Sequence, residues 1–145
     1  MFNYLKKIFL LFLIFNLTFV SNAQAEATFN DINGDGTGFD VSDQDTQPRG
    51  IAFNNDGTKM FIVGDQGNDI NSYTLSTGFD LSTATFNDIN GDGSGFDISG
   101  QEATPQYIKF NNDGTKMFVS GNTGKDINVY NLSTGFDLST AIFDD

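Results

Sequence analysis

Asp31-Ile32-Asn33-Gly34-Asp35-Gly36 recurs unchanged as Asp88-Ile89-Asn90-Gly91-Asp92-Gly93. Side-chain oxygens at positions one, three and five with glycine at six let alternate residues converge on one divalent cation, while the glycine makes the sharp turn. The carbonyl of Thr37 or Ser94 stands where a seventh-position backbone ligand would. Asp40 and Asp97, at position ten, could add a carboxylate if the loop bulges by one residue. Calcium is the cation this oxygen-only set would take. The match is partial, since position nine is Phe39 or Phe96 and position twelve is Ser42 or Ser99. The competing reading is that Asn-Gly and Asp-Gly simply turn the chain between strands.

Other chemistry is largely excluded by what the chain lacks. It has 145 residues with no cysteine and no histidine, so thiol catalysis, thiolate metal sites and imidazole bases are absent. Glutamate occurs only at Glu26 and Glu102, and Arg49 is the sole arginine. Seven basic residues against nineteen acidic give a net charge of −12. Nucleic acid is therefore excluded as a partner, because phosphate binding needs clustered Lys and Arg.

Residues 1–25 read as an address. Lys6 and Lys7 precede an apolar run, Ile8 to Val20, and Ala23-Gln24-Ala25 offers a small-x-small cleavage site. This three-part pattern predicts a secretory signal peptide, and a thirteen-residue run interrupted by Asn16 and Thr18 falls short of the roughly 20 apolar residues that span a bilayer. The expected mature chain is secreted, extracellular or periplasmic, with no membrane span after cleavage. Loss of Lys6 and Lys7 leaves it at −14.

The rest of the chain is a repeat. Shifting by 57 residues lays Ala27–Thr83 on Ala84–Thr140 with 41 identities and no gap. The predicted units are 26–83, with an N-terminal outer strand at Ala27-Thr28-Phe29, then 84–140, with 141–145 opening a third copy. In each unit two short apolar runs flank Asn-Asn-Asp-Gly, at Asn54–Gly57 and Asn111–Gly114. That is a hairpin signal, since glycine supplies the positive φ cheaply. A period-two run follows, at Ile70–Leu75 and Ile127–Leu132, and a fourth short run closes each unit at Ala84-Thr85-Phe86 and Ala141-Ile142-Phe143. No helical spacing occurs in residues 26–145. The expected fold is all-β, with two tandem four-stranded antiparallel blades of propeller type.

The hairpin Pro48-Arg49-Gly50-Ile51-Ala52-Phe53-Asn54-Asn55-Asp56-Gly57-Thr58-Lys59-Met60-Phe61-Ile62-Val63 resembles the repeat of YVTN-type, lactonase-like β-propellers. The runs Ile70–Thr77 and Ile127–Thr134 resemble that family's third strand. The acidic hexapeptides, by their residues, are similar to the calcium loops of EF-hands, dockerins and integrin-type propellers. The propeller resemblance implies an incomplete ring, because closed propellers use about 4–8 blades. Three readings follow: the chain is a piece of a longer propeller, copies associate through open blade faces and unpaired edge strands, or the pair stands alone and is marginally stable. Gly-Phe-Asp-x-Ser occurs four times, beginning at Gly38, Gly78, Gly95 and Gly135. Its expected role is a loop whose Phe anchors in the seam between blades while its Asp caps the turn.

Two functional readings follow. One is a secreted, non-catalytic module that binds a protein or glycan, with calcium stiffening its loops. The other is part of a lactonase-like hydrolase. Catalysis needs residues that differ between blades and converge on one point, and nearly identical repeats favour the first reading.

Overall fold

In a computed structural model the described residues are 29–32 and 34–145. The expected signal peptide at residues 1–25, together with Glu26, Ala27, Thr28 and Asn33, lies outside them. Phe29 is exposed and belongs to no strand.

The chain is all-β, built from two antiparallel sheets. The first is a meander of β1 (Pro48–Phe53), β2 (Lys59–Gly64), β3 (Asp69–Leu75) and β4 (Ala84–Phe86). A two-residue strand, β5 (Phe96–Asp97), also joins it, pairing with the start of β3. The second sheet repeats the order with β6 (Pro105–Phe110), β7 (Lys116–Gly121), β8 (Ile127–Leu132) and β9 (Ala141–Phe143). Two three-residue 3₁₀ turns, Leu81–Thr83 and Leu138–Thr140, are the only helical pieces among the described residues.

Local chemistry sets these elements. Gly57 and Gly114 sit at φ 72° and 73° in the β1–β2 and β6–β7 turns, the left-handed conformation glycine adopts without a Cβ penalty. Asp56 closes its turn by accepting from the Thr58 N–H and hydroxyl, and Asp113 does the same with Thr115. Asp80 and Asp137 cap the 3₁₀ turns by accepting from the N–H of Ser82 and Ser139. Two acids that could suggest acid–base chemistry therefore serve as hairpin staples, and two more as caps.

The sheets stack front to back. Each sheet's front face carries a Met, an Ile or Val, a Tyr and a Leu: Met60, Ile62, Tyr73 and Leu75 in the first, Met117, Val119, Tyr130 and Leu132 in the second. The back of the first sheet, Phe61, Val63 and Ile70, packs on the front of the second to form one buried cluster. Phe61 lies 4.5 Å from Phe110, centroid to centroid, and 6.5 Å from Phe136. Burying these side chains is worth about 1.5–3 kcal/mol each, so the seam, not either sheet alone, holds the pair together.

The repeat makes the effect of stacking readable by subtraction. In β3 every residue but Thr74 is buried, because both faces are covered. In β8, of nearly the same sequence, only Asn128, Tyr130 and Leu132 are buried. Ile70 is fully buried, whereas its equivalent Ile127 is 68% exposed.

The four Gly-Phe-Asp-x-Ser loops divide the same way. All four aspartates cap, accepting from the N–H of Ser42, Ser82, Ser99 and Ser139. Phe96 and Phe136, both half-buried, pack into the seam; Phe39, equally half-buried, packs on Tyr73 at the front of the first sheet, and Phe79 is 60% exposed. Seam anchoring thus holds for two of the four, because the first unit has no sheet stacked on its front.

Candidate functional site

Two features could hold a ligand: the acidic loops, and a groove where the inner strands of the two sheets meet.

In the second acidic loop, Asp88 Oδ1 accepts from the Gly91 and Asp92 N–H at 2.6 and 3.2 Å, and its Oδ2 accepts from Gly93 at 3.0 Å. Asp92 Oδ1 accepts from the N–H and hydroxyl of Ser94 at 3.0 and 2.6 Å. Asn90 Nδ2 donates to the Gly95 carbonyl, and Asp97 Oδ1 is held by the Ser99 N–H. The first loop is the same where described. Asp31 accepts from the N–H of Asp35 and Gly36, Asp35 from both groups of Thr37, and Asp40 from the Ser42 N–H. Gly34, Gly36, Gly91 and Gly93 all take positive φ, as the tight winding requires.

A cation cage needs these oxygens turned to a common point. Here they are turned onto N–H and hydroxyl donors of their own loop, and no three acidic groups converge among the described residues. Asp31 and Asp88 use both carboxylate oxygens this way, whereas Asp35, Asp40, Asp92 and Asp97 are held through Oδ1 alone, so a cation at either loop would have to draw Asp31 or Asp88 from its N–H partners.

Three carboxyls outside the sequence motif prove more constrained. Asp69, buried in β3, accepts from the Gly95 N–H at 2.8 Å and from Asn71 Nδ2 at 2.9 Å. It ties the second acidic loop to the first sheet. Asp45 and Glu102 are equivalent residues in the two repeats, each 1% exposed. Glu102 reaches across to the N–H of Thr104, Thr123 and Gly124. Asp45, one methylene shorter, accepts from Gln47 and leaves Oδ2 unpaired. Neither was visible in the sequence as anything but a polar loop acid. Among the cations, Arg49 is spent on Asp65 at 2.7 Å, and Lys59 Nζ donates to the Phe136 carbonyl at 2.9 Å, across the seam.

Burial pushes Asp45 and Asp69 above the ordinary aspartate value of 3.8. Their neutral forms are therefore favoured in the fold, and stability rises as pH falls through those raised values. The capping acids behave oppositely. The hydroxyls of Thr37, Thr58, Ser94 and Thr115 hold Asp35, Asp56, Asp92 and Asp113 below 3.8, and the N–H groups of Ser42 and Ser99 do so for Asp40 and Asp97. Glu102 is also lowered: burial pushes it up, but its N–H donors outweigh that. These contributions persist above the unfolded value and are lost as pH falls through the lowered ones. The expected result is a melting temperature that first rises as pH falls through the raised values of Asp45 and Asp69, then drops as pH falls below the ordinary aspartate value of 3.8. A monotonic loss of stability from pH 8 downward would contradict the burial of Asp45 and Asp69.

The second feature is an open groove of about 400 Å³ between β1 and β6. Phe53, Phe110 and Phe136 give it an aromatic floor, and Asn55, Lys109 and Asn112 provide polar groups along it. Asn55 Nδ2 donates to the Asn112 carbonyl at 2.6 Å and so fixes the two hairpin turns together. Few charges, several amides and exposed ring surface are the make-up of a site for an uncharged polar ligand. No sequence motif marks it, because its two walls lie one repeat apart and meet only through the stacking. Among the described residues no helix is long and apolar enough to cross a membrane. The chain matches no protein-family model, no curated protein and no solved structure.

Proposed function

We propose that the chain is an exported, non-catalytic repeat module of the YVTN-like blade type that binds a glycan or protein segment in the groove between its sheets. The observation that carries this is the groove itself, with amides and one lysine over an aromatic floor at the junction of two near-identical hairpins. The side chains competent for acid–base work are duplicated rather than differentiated, and most serve their own turn. That supports display of a surface over hydrolysis. Export rests on the three-part pattern of residues 1–25.

An array of neutral and acidic oligosaccharides, probed with the chain from residue 26 on, tests the reading. Binding to neutral glycans, weakened at least tenfold by Lys109→Ala together with Asn112→Ala, is the expected result. Hydrolysis of a simple lactone by the same protein would replace it with an enzymatic reading.

Calcium enters this function only through a rearranged loop state at Asp31–Gly36 and Asp88–Gly93. Extracellular sites of this kind bind at roughly 10⁻⁴–10⁻³ M. At a concentration near Kd each site adds about 0.4 kcal/mol, so two sites raise the melting temperature by roughly 3 °C. Equal midpoints in chelator and in millimolar calcium would remove calcium from the account.

A further inference from the structure

We propose that the back of the second sheet docks on the front of the first sheet of a second copy of this chain, repeating between molecules the seam already present within one. This does not depend on what the groove binds. Its basis is that the open front repeats the seam's front almost residue for residue, while the open back keeps Phe118 and Ile127 and carries Tyr107, Lys109, Ser120 and Val129 where the seam has Gly50, Ala52, Val63 and Ser72. The seam joins the back of one repeat to the front of the next, and shifting both partners by 57 residues yields the open pair.

On the open back, Phe118, Ile127 and Val129 stand where Phe61, Ile70 and Ser72 stand in the seam. Phe61 and Ile70 are fully buried and Ser72 nearly so, whereas Ile127 is 68% exposed and Phe118 and Val129 are half-exposed. On the open front, Ile51 is 53% exposed where Ile108 is 8%, and Val41 is half-exposed where Ile98 is fully buried. The uncovered positions are thus Phe118, Ile127 and Val129 on the back and Val41, Ile51 and Phe79 on the front; Met60, Ile62, Tyr73 and Leu75 behind them are already buried within the first unit.

The polar groups repeat as well. Within the chain, β5 adds to the start of β3, with Phe96 opposite Ile70 and Asp97 opposite Asp69. Among the described residues Ile127, which opens the second sheet's third strand, and Asp126 just before it have no such partner strand. Phe39 and Asp40 of a second copy carry the same residues as β5 and would pair there. Lys59 donates to the Phe136 carbonyl across the seam; Lys116 is its counterpart and would reach the Phe79 carbonyl of the second copy. It now contacts Asn131 and Asp144 instead. An unpaired edge beside an apolar face is a standing invitation to association. Because two different faces meet, the contact is heterologous, and repetition gives a ring if the rotation closes and an open stack if it does not.

Sedimentation of the chain from residue 26 on gives the test. The unaltered chain should exceed monomer mass at 100 μM or below. Ile127→Lys blocks only the back and Ile51→Lys only the front, and each alone should be monomeric, with at least tenfold weaker association. Mixed in equal amounts, they should form a dimer and nothing larger, since one intact back still meets one intact front. Phe79→Lys replaces Ile51→Lys should that variant fail to fold by far-UV circular dichroism. A monomeric parent chain, single variants that still assemble, or a mixture that stays monomeric would overturn the proposal.

Discussion

Replacing Phe61 by alanine should destabilise the chain by about 3–5 kcal/mol, the range for emptying an aromatic site in a packed core. Phe61 is fully buried although it lies on a sheet face that, in an isolated sheet, would be open. Its ring is covered by Phe110 and Phe136, both from the other repeat. The equivalent change Phe118→Ala should cost much less, because Phe118 faces solvent on the back of the second sheet and is only half-buried. Chemical denaturation of both variants checks the contrast. Equal losses would mean that each repeat buries this phenylalanine within itself, and the shared seam would be wrong.

Gly114→Ala should cost about 3 kcal/mol, and Gly57→Ala about 1 kcal/mol. Both glycines hold nearly the same positive φ, so the left-handed strain of about 1 kcal/mol is common to both and cancels in the comparison. A Cβ on Gly114 would run into the ring of Phe136, and one on Gly57 into the ring of Phe79. The difference lies in what stands behind each ring. Phe136 is wedged against Phe61 and Phe110 and cannot retreat. Phe79 touches Phe53 at 5.4 Å but is 60% exposed and can swing into water. A cost at position 57 equal to that at 114 would mean that Phe79 too is confined, so that its exposure is not free space. That outcome would also point to a covered front face on the first sheet.

The meander was legible in the sequence because its signals are local. Asp-Gly turns, a period-two run and a recurring Ala-x-Phe strand each act over a few residues, and four strands per repeat follow from them. Stacking was not legible, because it depends on which of two similar faces finds a partner. Ile70 and Ile127 have the same neighbours in sequence and opposite fates in the fold. β5 was missed for a related reason: Phe96-Asp97 pairs with a strand of the preceding repeat, while its copy Phe39-Asp40 pairs with no strand among the described residues.

The acidic loops show a different limit. Their spacing suits a cation, yet the same oxygens suit N–H groups four and five residues ahead, and a sequence cannot choose between them. Asp31 and Asp88 close on their own backbone in this structure. The groove escaped notice because no residue of it is distinctive alone. Phe53 and Lys109, or Asn55 and Asn112, become neighbours only when one repeat is laid on the next.

Interproton contacts in solution test that arrangement most directly. The account predicts nuclear Overhauser peaks from Phe61 to Phe110 and from Ile70 to Phe96, joining the back of the first sheet to residues of the second repeat. Peaks confined within each repeat, with Phe61 and Phe118 in equivalent surroundings, would contradict it.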